Sequence, residues 1–364
     1  MKSKSFLWVL GPEDKKKSGI GLYSTNLIDG LRFRGYNIKC LFIPYKSRSL
    51  RRYLYQFFFL PLYLLFNATK YDKVFLYEEA YSFLVPFCNV VKKRSVLIFH
   101  HLPEQSLHDS VIEKLKYLYM KVILNLAKYS AILIFPSKNT KYDFLNFFSS
   151  KDDLVSKKLV VIPNCFNFSS NIRASTLANK DCYRSGVVFL YVGSEEARKN
   201  LLTSIVALSR IQYEEKITFI KIGKPIITEN RAKLMEFLGT TSLNYQVSDY
   251  VSQSDLEEYF LQCDFFIMPT LHEGFGRTPI EAQSYGKIVI ASDIPIMREI
   301  MGDSALYVKD PHLEASWITA FYNALKLDNE KIRLYQFKAR ENAARYAIEN
   351  VVREFESEVL NSPQ

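Results

Sequence analysis

The sequence predicts an α/β protein of two successive doubly wound, parallel-sheet domains. Three observations predict it. Short apolar runs of strand length alternate with stretches of helical spacing along most of the 364 residues. The alternation breaks once, over the polar residues 169–186, and restarts at Val187. The chemically distinctive residues cluster just after the strand-like runs, where an open parallel sheet presents its carboxyl ends to ligands.

The first run, 6–10 (FLWVL), reads as a buried strand. A loop with Lys15, Lys16 and Lys17 leads to Gly19-Ile20-Gly21. From there a helical pattern continues to Arg34 and stops at Gly35, which suits a C′ glycine. Further strands are expected at 38–43, 74–77, 96–99, 131–135 and 159–162. The second half repeats the pattern with strands at 187–192, 217–222, 265–268 and 287–291. The expected division is a first domain over 1–170, a linker over 171–186, a second domain over 187–342 and a closing helix over 343–364.

With 48% hydrophobic and 24% charged residues the chain is globular rather than disordered. Its net charge of +10 is uneven. Residues 1–168 hold 26 Lys and Arg against 12 Asp and Glu, a net of +14, whereas the remainder holds 22 against 26, a net of −4. The first half therefore suits an anionic partner: nucleic acid, a membrane surface or a phosphorylated ligand. Nucleic acid is disfavoured because the basic residues are dispersed and no recognition motif is visible. The five cysteines (Cys40, Cys88, Cys165, Cys182 and Cys263) form no C-x-x-C pair, which fits a reduced, cytosolic chain without structural zinc. The run 6–10 is too short for the core of a secretory signal. Residues 53–66 are nearly all apolar and follow Lys46, Arg48, Arg51 and Arg52. They are shorter than the roughly 20 residues a spanning helix needs. Two readings remain: a buried helix or hairpin bent at Pro61, or a contact of residues 46–70 with an anionic membrane surface.

The richest cluster is Leu271-His-Glu-Gly-Phe-Gly-Arg-Thr-Pro-Ile-Glu-Ala282. Gly274 and Gly276 permit positive φ and close backbone approach to a ligand on either side of Phe275. Thr278 suits an N-cap and Pro279 the first helical position, so a helix start with its free N–H groups would offer a phosphate site. A capping box with Thr278 would also explain Glu281. Glu273 reads either as a solvated loop carboxylate or as a group facing a sugar. A second cluster follows the 187–192 strand: Gly193, then Arg198-Lys199 opening the next helix. Cations oppose the dipole there, so a bound anion explains them, as does a solvated surface pair. Gly19-Ile20-Gly21 lacks the third glycine of a dinucleotide fingerprint. His100 and His101 end the 96–99 strand; one of the two also reads as a satisfied core histidine. No metal-binding constellation is visible.

The stretch 264–308 closely resembles the signature of the family 4 retaining glycosyltransferases, whose E-x7-E motif matches Glu273 and Glu281. Val192-Gly193 with Arg198-Lys199-Asn200 resembles that family's phosphate-binding segment, and 18–27 its glycine-rich first loop and helix. Phe99-His100, Pro136-Ser137 and Ile162-Pro163-Asn164 match further landmarks, so the likeness covers about residues 5–345. The resemblance implies a GT-B fold: two Rossmann-like domains facing a central cleft, with acceptor on the first and nucleotide-sugar on the second. It implies that Arg198 and Lys199 hold the pyrophosphate, Glu281 the ribose, and Glu273 the donor sugar. The Gly274–Gly276 amides would back the sugar and its phosphate, and His100 would sit near the reacting centre. Gly19, Ile20, Gly21 and His101 would line the acceptor side. It further implies a UDP-, GDP- or dTDP-sugar as substrate and no cofactor or metal. A glycan or lipid-linked acceptor, surface-polysaccharide synthesis and a cytoplasmic place at the inner face of the membrane complete the expectation. Cys165, Ser194 and Gln283-Ser284 depart from the family pattern. Sugar-nucleotide epimerases of the same fold and non-catalytic sugar-binding relatives are the alternatives.

Overall fold

The computed structural model describes residues 4–15, 18–46, 49–92, 94–100, 111–147, 158–168 and 186–361. The chain divides into two compact units, residues 1–167 with 346–364, and residues 168–345. Apart from Gly186, the expected linker 171–186 lies outside the described residues, as do Lys16, Lys17, Arg48 and His101.

The first unit contains β1 (Ser5–Pro12), β2 (Asn37–Ile43), β3 (Lys73–Leu76), β4 (Ser95–Ile98), β5 (Ile132–Phe135) and β6 (Lys158–Val161). They form one parallel sheet in the order β2-β1-β3-β4-β5-β6. The second unit contains β7 (Val187–Val192), β8 (Ile217–Ile222), β9 (Asn244–Ser248), β10 (Phe265–Met268), β11 (Ile288–Ser292) and β12 (Ala305–Val308). Its sheet is also parallel, in the order β12-β11-β10-β7-β8-β9. Every residue of β3, β4, β5 and β10 is buried. Helices cover both faces of such strands, so their sequences read as unbroken apolar runs. Most strand ends fall one residue from the positions expected. The edge strands β9 and β12 were not anticipated; β9 (NYQVS) is polar and largely exposed.

Each sheet reverses its winding once, between β1 and β3 and between β7 and β10. Ligands of open α/β sheets bind beyond the carboxyl ends at such switch points. In the first unit, Ser18 caps the helix Gly19–Phe33 by accepting from Gly21 N at 3.2 Å. Gly35 ends that helix with φ +88, a conformation glycine adopts without strain. The closing segment packs on this unit. Phe166 N donates to Tyr346 O and Ile348 N to Phe166 O, both at 2.9 Å. The helix Ile348–Phe355 then brings Phe355 to 6.1 Å from Trp8 and 5.7 Å from Phe75, between ring centroids.

The reading of 53–66 as a buried helix or hairpin is corrected. Leu50–Leu54, a π turn at Tyr55–Phe59 and Leu60–Asn67 form one helical run. Pro61 follows the π turn directly, and the chain stays helical on both sides of it, so the run does not bend into a hairpin there. Most of its large apolar side chains are exposed.

One buried charge stands out in the second sheet. Lys221, on β8, is fully buried and ion-paired with Glu195, which also receives Arg231. Burial holds the Lys221 ammonium below its ordinary pKa, with Glu195 acting in the opposite sense. Glu195→Ala leaves that ammonium without its anion and should cost about 3–5 kcal/mol in urea unfolding. The folded-state pKa of Lys221 then falls further while the unfolded value is unchanged. The unfolded state binds more protons, so the variant should regain stability as the pH is raised toward the ordinary lysine pKa of about 10.4. A loss under about 1 kcal/mol, or no recovery with pH, would refute the pairing.

Candidate functional site

The loops after β7 and β10 meet at the switch point of the second sheet. A Cβ on Gly193 would lie 2.7 Å from Tyr191 Oη, so glycine lets the chain turn over that phenol. Tyr191 Oη donates to Ser194 O at 2.7 Å. Burial, then the Glu273 and Glu195 carboxylates, push its pKa well up, which keeps it a donor. A 3-10 turn at Ala197–Lys199 carries the two cations, and Asn200, with φ 50, turns the chain into the helix Leu201–Ser209. Leu271 N donates to Arg198 O at 2.8 Å, stitching the two loops together.

Glu273 is the hub. Its carboxylate pairs with Lys199 Nζ, lies 3.5 Å from Arg198 Nη1 and accepts from Thr270 Oγ1 at 3.3 Å. Its side chain is only 11% exposed, so it is not a solvated loop carboxylate. Arg198 is gripped on its other side by Glu196, with Nη2 to Oε2 at 3.1 Å, and it donates to His272 O at 3.3 Å. The cations that the sequence reading set opposite an anion are paired here with the carboxylates of Glu273 and Glu196.

The helix start is corrected too. The helix is Arg277–Ser284, and its N-cap is Gly276 with φ +85 rather than Thr278. The positive φ at glycine begins the helix two residues early, which puts Pro279 at the third position. A Cβ on Gly276 would meet Met297 Cε at 2.8 Å. Thr278 Oγ1 points to Met268 Sδ at 3.9 Å, and no capping box forms. Glu281 instead pairs with Arg277 at 3.4 Å and is 27% exposed. Phe275 is buried, which anchors the Gly274–Gly276 turn.

In the first unit, His100 follows β4 and is buried. Its Nε2 lies 2.9 Å from Tyr77 O, so Nε2 carries a proton and donates. Its backbone N donates to Glu79 Oε2 at 3.0 Å, and the Tyr23 ring meets it edge-on at 5.1 Å. Gly19, Ile20 and Gly21 form the first helical turn, not a loop. Gly21 borders a small recess with Gly11, Thr25 and Tyr77, close to the switch point of this sheet. Gly11 is required there, since a Cβ would overlap the Tyr77 ring. Sequence reasoning missed Tyr77, Glu79, Glu196 and Thr270. Glu78-Glu79 follow a strand-like run, and the strand-end rule applied to 74–77 would have found them.

Residues 178–348 match the family model for glycosyl transferases group 1. The O-antigen chain mannosyltransferase RfbU of Salmonella typhimurium is 26% identical over 277 residues, covering 73% of this chain and 74% of that one. The O-antigen biosynthesis glycosyltransferase WclY of Escherichia coli is 28% identical over 297 residues, covering 76% and 77%. Among solved structures, Anabaena HepE in complex with UDP and glucose superposes with a TM-score of 0.71 at 16% identity, over 99% of this chain and 100% of that one. Sucrose-phosphate synthase from Thermosynechococcus elongatus gives 0.74 at 16% identity, over 97% and 98%. At such identity the likeness carries the fold, which is GT-B, as the resemblance implies. The group 1 match, which spans Arg198, Lys199, Glu273 and Glu281, and the two curated relatives together support a glycosyltransferase.

Proposed function

We propose that the chain is a metal-independent retaining glycosyltransferase of the family 4 type. It moves a hexose or related sugar from a nucleoside-diphosphate sugar to a glycan or lipid-linked acceptor. The setting is bacterial surface-polysaccharide synthesis on the cytoplasmic side of the membrane. The observation that carries this reading is the clamp of Glu273 on Arg198 and Lys199 at the switch point of the second sheet. A diphosphate has more charge and more acceptor oxygens than one carboxylate, so it competes for both cations. Once they turn to it, Glu273 is released to accept hydrogen bonds from sugar hydroxyls. Glu281 turns from Arg277 to the ribose, and the start of the helix Arg277–Ser284 adds its positive dipole end.

The bond from C1 to the diphosphate oxygen breaks with its electron pair on that oxygen. The acceptor hydroxyl oxygen bonds C1 on the same face, and its proton passes to the departing phosphate oxygen. Arg198 and Lys199, already fixed by the loops, stabilise the developing charge without reorganisation. His100, its ring fixed by Nε2 donating to Tyr77 O, would act near the reacting centre, as the resemblance implies. The named activity of RfbU makes mannose the first sugar to test, and the UDP bound to HepE makes UDP the first nucleotide.

A thermal-shift panel of UDP, GDP, dTDP and CMP, each with EDTA and with Mg²⁺, tests the donor. One nucleoside diphosphate should stabilise the protein in EDTA. A shift that needs Mg²⁺ would overturn metal independence. Lys199→Ala should lower kcat/KM by about 10²–10³-fold, as for other preorganised donors. A change under about twofold removes Lys199 from the mechanism. Proton NMR of the first product should show the anomeric configuration of the donor; inversion would overturn retention.

A further inference from the structure

We propose that residues 50–67 dock on an anionic lipid bilayer, lying in its surface with one apolar face inserted. The run is continuous right-handed helix through its central π turn. Its outward face is apolar, where a helix that packs against a core and faces water is polar. Gln56, Leu60 and Leu64 point inward and are buried. Leu50, Leu54, Phe58, Leu62 and Phe66 point outward and are 82%, 62%, 68%, 56% and 72% exposed. A surface helix normally turns its polar residues out. Here the amide is inside, held by Arg52 Nε donating to Gln56 Oε1 at 3.2 Å, and the phenylalanines are outside. In a plain α-helix each four-residue step overshoots a full turn by about 40°, so such a stripe would spiral round the axis. The π turn at Tyr55–Phe59 puts an extra residue into one turn and sets the stripe back onto one face. A contiguous apolar face of this kind marks an interaction surface.

Charge selects the partner. Residues 46–70 contain five Lys and Arg and no Asp or Glu. Lys46, Arg51 and Arg52 lie at one end of the run and Lys70 at the other. Residues 1–168 as a whole carry +14, so a second copy of the same face would be repelled while an anionic leaflet is attracted. No described helix is long and apolar enough to cross a membrane, and the outward face is aromatic with basic ends, as in helices that lie in the interfacial plane. The short helix Val85–Cys88 packs on Leu60–Asn67 and leads to exposed Val90, Val91 and Lys92, an apolar and basic tip of the same character.

The test uses the full chain with phosphatidylcholine vesicles, with and without about 30% phosphatidylglycerol, at low salt. Trp8 and Trp317 are fully buried, so Phe58→Trp and Phe66→Trp act as reporters. The protein should pellet with the anionic vesicles only, and brominated lipid should quench both new tryptophans. Phe337→Trp, at a 58% exposed position in the second unit, should not be quenched. Phe58→Ser with Phe66→Ser should weaken vesicle binding by about tenfold or more while the unfolding midpoint stays put. Failure of the unsubstituted protein to pellet, or unquenched tryptophan at both positions, overturns the proposal. So does a concentration-dependent dimer that the double serine variant dissolves, which would assign the face to a second copy.

Discussion

A single carboxylate holds the rim of the second sheet in place. β7 and β10 pair at only two residue positions, Phe189 with Phe265 and Leu190 with Phe266, so the strands themselves do little to fix the loops beyond them. Glu273 supplies that constraint: it binds Lys199 and Arg198 across the gap and accepts from Thr270 on its own loop. The backbone link from Leu271 N to Arg198 O runs parallel to it. Removing the carboxylate would leave two cations, 16% and 31% exposed, without their shared anion, and the loops joined only by that backbone bond and by the hydrogen bonds of Arg198 with His272 O and Thr270 Oγ1. The arrangement is therefore a structural joint, and on the proposed reading it holds both cations at the place where a diphosphate would take over from the carboxylate.

Buried polar groups elsewhere in this unit serve to fix orientation. Gln283 stands where the resembled family has small or apolar residues. Its Nε2 donates to Ser304 Oγ at 2.8 Å, and its Oε1 accepts from Asn342 Nδ2 at 2.7 Å. Asn342 Nδ2 also donates to Ile300 O at 2.9 Å. Three segments are thus locked to the helix Arg277–Ser284, the one that carries Glu281. A helix of eight residues has little intrinsic stability. This network sets its rotation, and with it the direction of Glu281, in a way that apolar packing of similar size would specify less sharply.

How much of this was legible in the sequence follows from where each signal lies. The central strands were legible because burial on both faces demands an unbroken apolar run. β9 was not, because an edge strand half in water has no such demand and reads as a polar loop. The helix end at Gly35 was legible, since glycine with positive φ leaves a recognisable residue. The helix start at Gly276 was misplaced, because Thr278-Pro279 imitates a side-chain cap while the true cap is a backbone conformation. Glu273, Arg198 and Lys199 were each found by their place at a strand end, but their pairing spans 74 residues and leaves no local trace. The partners of His100, Tyr77 and Glu79, were hidden for the same reason.

The distribution of charge separates two kinds of anion recognition. Residues 1–168 carry +14 in a dispersed form, with nothing in the 46–70 segment to offset its cations. Dispersed charge creates an extended field, suited to an extended anionic surface and weakened by salt. The second half carries −4, yet it holds the Arg198 and Lys199 pair. There the cations are concentrated, partly buried and already countered by Glu273 and Glu196. Such a site offers little to a diffuse anion, because any ligand must displace a well-placed carboxylate and satisfy both cations at once. On the proposed reading, a compact diphosphate meets that requirement and a lipid surface does not. A donor site in a net-negative half would then be protected from the very surface to which the other half is drawn.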